Sequence, residues 1–127
     1  MRIIIDTNRY RDFCEGIVEA LEVIRRAETI FLPFVTLAEL RAGFAAGKRG
    51  VENDRVLTKF LNKPRVRLLF PDENTTRHYA YLYKQLRVQA TPIPSNDLWI
   101  AALAVQHDLF LFTRDEHFAH LPQIPVV

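Results

Sequence analysis

Short apolar runs along the chain alternate with longer stretches in which apolar positions recur every three or four residues. Ile3, Ile4 and Ile5 are consecutive β-branched residues, the pattern of a central strand buried on both faces of a parallel sheet. Further strands are predicted over 29–34, with Pro33 near the end, over 65–70, and over 109–112, with a last edge strand at 124–127. Residues 9–13 read as a short helical turn, and Ile17, Leu21 and Ile24 predict a helix over 16–27. Thr36 opens a helix that carries Leu37, Leu40 and Phe44 and ends near Gly47. Val56, Leu57, Phe60 and Leu61 mark a helix over 51–62, and Tyr79, Leu82, Tyr83 and Leu86 mark a long one over 74–90. After a Pro-rich loop, Asn96 is a suitable N-cap for a helix over 97–107, and residues 113–120 form a loop or short helix. Strands and helices alternating in this way imply right-handed crossovers. The expected fold is α/β, one domain over residues 1–127, with a central, mainly parallel sheet of four to five strands and helices on both faces.

Composition narrows the setting. Nearly half the residues are hydrophobic (49%), so a core forms without cross-links, and the single cysteine, Cys14, excludes an internal disulfide and fits a reducing, cytoplasmic setting. No apolar run reaches the roughly 18 residues of a membrane span, and the stretch ahead of Asp6 is too short for a signal peptide. A net charge of +2 describes an ordinary solvated surface, although the excess of arginine over lysine suits phosphate recognition. Residues 98–105 are all apolar, which marks that helix as central or shared at an interface.

The chemistry lies at the element junctions. Asp6 ends the first strand, Glu39 falls in the first turn of the helix after the second, Asp97 begins the helix after the Pro-rich loop, and Asp115 follows the fourth strand. In an open parallel sheet, ligands bind beyond the carboxyl ends of the strands. Asp97 shares a helical stripe with Ile100, Ala101 and Ala104, so it points inward and needs a partner. Each acid also has a local explanation. Asp6 can bond its own turn, Thr36 and Glu39 have capping-box spacing, Asp97 favours a helix dipole, and Asp115 can be any loop acid. Four junctions each supplying an acid is what raises the functional reading. If they converge, their repulsion calls for a cation, and hard oxygen donors point to Mg²⁺, with Mn²⁺ as an alternative.

No phosphate-binding glycine loop, dinucleotide fingerprint or HExxH pattern is present, and Ser95 is the only serine, without nucleophile-elbow glycines. His117 and His120 have the spacing of a metal pair, but surface positions are the simpler expectation for them. Two other classes stay open: a receiver-like phosphoacceptor domain using Asp72, and a non-catalytic nucleic-acid or protein binding module on the same fold.

Ile-Ile-Asp-Thr-Asn at the start, Thr-Leu-Ala-Glu-Leu, Pro-Ser-Asn-Asp-Leu-Trp-Ile-Ala-Ala and Leu-Phe-Thr-Arg-Asp-Glu-His-Phe together resemble the PIN domain, in order and across essentially the whole chain. The likeness is strongest to the VapC-type toxins of bacterial toxin–antitoxin pairs. It implies a Mg²⁺-dependent endoribonuclease that cleaves RNA phosphodiester bonds at one or two metals held by Asp6, Glu39, Asp97 and Asp115, with Thr113 and Asn8 orienting the acids. Asp6 and Asp97 are then the principal ligands. Some relatives place the last acid slightly later, where this chain has Glu116 and His117, so the fourth acid is Asp115 or Glu116. Arg9 stands where many relatives have an apolar residue. The resemblance further implies a homodimer and a VapB-like antitoxin whose tail crosses the acidic groove, in a larger complex of the two.

Overall fold

The computed structural model describes residues 1–127. Its strands are β1 (Arg2–Ile5), β2 (Thr29–Pro33), β3 (Val66–Leu69) and β4 (Phe110–Phe112). Its helices are α1 (Thr7–Cys14), α2 (Val18–Arg26), α3 (Phe34–Ala46), α4 (Gly50–Leu61), α5 (Glu73–Gln89) and α6 (Ser95–Gln106), and a 3₁₀ turn spans Glu116–His120. The strands form one parallel sheet in the order β3-β2-β1-β4. The α/β reading of the sequence holds. The expected edge strand at 124–127 reduces to a single parallel bridge between Leu111 and Val126, because Pro125 has no N–H to extend the ladder.

β1 is central, and its three isoleucines are each 0% exposed. Alternation along the strand sends Ile4 into one core, with Leu82, Leu86, Leu103 and Leu111. Ile3 and Ile5 enter the other, with Tyr10, Ile24, Leu57, Phe60 and Phe112. Helices α5 and α6 cover the first face, while α1, α2 and α4 cover the second. Residues 98 and 100–104 of α6 are buried, so the all-apolar stretch is a core helix. Leu103 has no exposed surface, and Leu103→Ala is expected to cost about 3 kcal/mol. Urea denaturation checks this, and a loss under about 1 kcal/mol contradicts it.

Several boundaries differ from the sequence expectation, and the differences matter to the site. The short turn expected at 9–13 is an eight-residue helix capped by Asp6, and Gly16 at φ +78 separates it from α2. Helix α3 starts at Phe34, with Pro33 as its N-cap, so the capping box read from Thr36 and Glu39 does not form. The Thr36 hydroxyl instead donates to the Ile5 carbonyl at 3.1 Å, where it is fully buried. Glu39 therefore lies in the second turn of α3, beyond the reach of an N-terminal cap. Helix α6 is capped by Pro94, not Asn96, so Asp97 is its third residue.

A cluster of carboxylates at the switch point of the sheet

With β2 on one side of β1 and β4 on the other, the chain reverses direction across the sheet between β1 and β4. The loops leaving those two strands diverge and open a crevice at their carboxyl ends. Pairing of Ile5 with Phe112 fixes the register, so Asp6 and Thr113 follow side by side. The Asp6 amide donates to the Phe112 carbonyl at 3.0 Å, and the Thr113 hydroxyl donates to Asp6 Oδ2 at 2.8 Å. The other Asp6 oxygen accepts the Thr7 amide at 2.8 Å, which starts α1. Asn8 reaches across from α1, with Nδ2 3.4 Å from Thr113 Oγ1 and 3.5 Å from Asp6 Oδ2. Its Oδ1 accepts the Arg114 amide at 3.2 Å. Asp6, Asn8 and Thr113 thus form one hydrogen-bonded unit between β1 and β4.

Glu39 joins from α3, because Thr36 ties the start of that helix to the end of β1. The Thr7 hydroxyl donates to Glu39 Oε1 at 3.3 Å. Asp97 joins from the opposite face. A helix that leads into a parallel strand runs antiparallel to it, so α6 begins at the carboxyl edge of the sheet. Asp115 caps the 3₁₀ turn through the His117 amide, 2.9 Å from its Oδ1. All four expected acids therefore lie at this edge of the sheet, near enough for their charges to act on one another. The tightest group is Asp97, Asp115 and His117, whose ligand atoms lie within 4.8 Å of one another. His117, expected on the surface, is half exposed, yet its Nδ1 sits 2.8 Å from Asp97 Oδ2 and 3.1 Å from Asp115 Oδ1. Glu116, the alternative fourth acid, is exposed and makes no ion pair.

Electrostatics reflect the crowding. Burial pushes the Asp6 carboxyl above its ordinary range, the Thr113 and Thr7 hydrogen bonds oppose this, and Asp115 adds to it. Desolvation also raises Glu39, reinforced by the charges of Asp6 and Asp97. Asp97 is raised by burial and by Asp115 and Asp6, against the hydrogen bond from His117. The hydrogen bond to Asp97 in turn raises His117, with the Asp115 charge adding to it. Carboxylates crowded in this way repel one another when ionised, and a nearby cation relieves that repulsion.

A second network holds this rim in place. Arg114 donates to both Asp12 oxygens, from Nε at 2.7 Å and Nη2 at 3.0 Å, and Arg9 adds a contact at 3.1 Å. The Arg114 hydrogen bonds hold Asp12 below the usual carboxylate range, with Arg9 contributing. Arg9 lies over the Phe112 ring at 5.0 Å, so it packs behind the site. Asp12 and Arg114 are 102 positions apart, so no local pattern announces their pairing. Asp12→Ala is expected to cost about 1–2 kcal/mol, because Arg114 is half exposed and the pair is partly screened. Chemical denaturation at pH 7 checks this, and unchanged stability contradicts it. Asp72, the phosphoacceptor of the receiver-like reading, is removed from this crevice. It caps α5 through Thr75 and accepts from Gln106 Nε2 at 2.9 Å.

The PIN domain family model matches residues 3–124. Ribonuclease VapC4 of Mycobacterium tuberculosis is 34% identical over 93 residues, which cover 73% of this chain and 72% of that protein. Ribonuclease VapC1 of Haemophilus influenzae is 32% identical over 99 residues, 78% of this chain and 72% of that protein. A crystal structure of VapBC2 from Rickettsia felis, bound to a DNA fragment from their promoter, superposes with a TM-score of 0.86 at 25% identity, over 100% of this chain and 98% of that one.

Proposed function

This chain belongs to the PIN domain family, and from that premise we propose that it is the toxin of a VapBC-type pair, a metal-dependent endoribonuclease. The observation that carries the reading is the meeting of Asp6, Glu39, Asp97 and Asp115 at the switch point of the sheet, three of them with raised pKa. Its relatives are ribonucleases by name, and its structural neighbour is a toxin–antitoxin complex.

The residues fit a divalent ion, Mg²⁺ or Mn²⁺, because every acid in the crevice presents hard oxygen and the closest donors fall within one coordination sphere. Asp97 and Asp115 supply the closest oxygens, and Asp6 supplies negative charge from behind, its geometry fixed by Thr113 and Asn8. When bound, a divalent cation lowers the pKa of a coordinated water and offsets charge on the phosphate oxygens. Glu39 stands at the more exposed rim, with Oε1 accepting the Thr7 hydroxyl, and its raised affinity for a proton suits the role of general base towards a water at that rim. Asn8 and Thr113 keep the Asp6 carboxylate from rotating, and Arg114 holds the loop that carries Asp115.

The direct test is incubation of the purified chain with structured RNA and Mg²⁺ or Mn²⁺. Internal cleavage is expected, and EDTA should stop it; equal cleavage in EDTA overturns the metal-dependent reading. The partner reading is a VapB-like antitoxin that blocks the acidic crevice, with the toxin itself a homodimer. Light scattering at micromolar concentration should give twice the 14.8 kDa chain mass, and a monomer contradicts the dimer.

A further inference from the structure

We infer that His117 is itself a ligand of the cation site and supplies one nitrogen to an otherwise all-oxygen donor set. That nitrogen biases the site away from Mg²⁺ towards Mn²⁺ and Co²⁺. The inference rests on the nuclease reading above and adds the identity of the preferred ion.

Three features of the fold place the ring. Asp115 caps the 3₁₀ turn through the His117 amide, which fixes the backbone beside its own carboxylate. Phe118, the next residue, is 1% exposed and anchors that turn in the core around Leu103 and Leu111. The ring then reaches Asp97, 20 positions back on α6, at 2.8 Å. His117 is the side chain of this turn that stands between two carboxylates, with Asp97 on one side and Asp115 on the other.

The spacing is that of a coordination sphere. Metal–ligand bonds of about 2.1 Å at right angles put neighbouring donor atoms about 3 Å apart. Nδ1 lies 2.8 Å from an Asp97 oxygen and 3.1 Å from an Asp115 oxygen. Hydrogen bonds have the same lengths, so a bridging proton and a shared cation are alternative ways to satisfy these atoms. An ion held there replaces the Nδ1 proton, which leaves to solvent. Mg²⁺ binds oxygen and keeps its waters, whereas imidazole suits transition ions, with affinity rising from Mn²⁺ to Co²⁺. One nitrogen is therefore enough to change which ion the site prefers.

The test uses the full chain, wild type and His117→Ala, titrated calorimetrically with Mg²⁺, Mn²⁺ and Co²⁺. Pulsed electron paramagnetic resonance of the Mn²⁺-loaded protein reads nitrogen coordination directly. Wild type should show ¹⁴N coupling that His117→Ala lacks. The variant should lose about tenfold or more in Co²⁺ affinity, by analogy with the loss of a metal-site partner, while Mg²⁺ affinity changes much less. Absence of nitrogen coupling in wild type, or equal loss of Mg²⁺ and Co²⁺ affinity in the variant, overturns the inference and leaves the nuclease reading standing. If none of the three ions binds wild type, the metal-dependent reading falls and the inference with it.

Discussion

Asp6→Asn is expected to lower RNA cleavage by about a thousandfold or more, the scale seen when a preorganised electrostatic group is removed from a reaction site, while the domain stays folded. Asparagine is nearly the same size and is an equally good N-cap, so α1 still starts at residue 7. Its single oxygen serves the Thr7 cap, and its Nδ2 takes the place of the oxygen beside Thr113 Oγ1, where it donates to that hydroxyl instead of accepting from it. What it removes is a negative charge that is 5% exposed at the end of the central strand. Burial already makes that charge unfavourable in the fold, so the metal-free variant should melt at the same temperature as wild type or higher. This combination separates a catalytic role from a structural one. Asp6→Ala should abolish cleavage too, but it also removes the cap, at about 1 kcal/mol. Cleavage above a tenth of the wild-type rate in Asp6→Asn, measured on a short RNA under single-turnover conditions, would remove Asp6 from the site.

Saturating Mn²⁺ should raise the melting temperature by about 10 °C at pH 8 and by little at pH 5. An ion at a hundred times its Kd contributes about 2.7 kcal/mol, and a domain of this size shifts by about 4 °C per kcal/mol. The pH dependence follows from the acids. Asp6, Glu39 and Asp97 hold their protons more tightly in the fold than the ordinary carboxylate value of about 4. The stability they contribute is full below that value and is lost as pH rises through their folded pKa. His117 behaves the same way in a higher window, since its folded pKa lies above the ordinary value of about 6.5. Asp12 has the opposite sign: Arg114 depresses it, so its contribution is present above about pH 4 and is lost only on further acidification. Without metal, stability should therefore decline from about pH 5 to pH 8, where the cluster is most charged. The cation binds the ionised forms and restores it. Metal-free stability that climbs over this range, or a melting temperature unmoved by Mn²⁺ at pH 8, would contradict the clustered-carboxylate account.

The four acids were legible because each stands at a junction that the topology itself sends to one edge. A parallel strand ends at the carboxyl edge by definition, which accounts for Asp6 and Asp115. Asp97 follows a loop rather than a strand, yet a helix feeding straight into β4 has to begin at that same edge. Glu39 is expected in the first turn of its helix, with capping as its local alternative; it lies instead in the second turn, an exposed acid one turn beyond Thr36, whose hydroxyl locks α3 onto Ile5. His117 was undervalued because its local context, in Asp-Glu-His-Phe, is that of a surface turn. Nothing in the spacing of the histidines announces a bond to α6.

The amino-acid order by itself determined the alternation of strands and helices, the burial of the three isoleucines of β1, and the placing of an acid after β1 and β4. These are consequences of periodicity and chain direction, which act over a few residues and can be read locally. Only the tertiary structure decided that Ile5 pairs with Phe112, so that Thr113 lies beside Asp6. It also decided that the His117 ring turns between Asp97 and Asp115, and that Arg114 grips Asp12. Each of those contacts joins positions brought together by sheet register and helix packing, where the best partner for a polar group is set by what lies within about 3 Å in space.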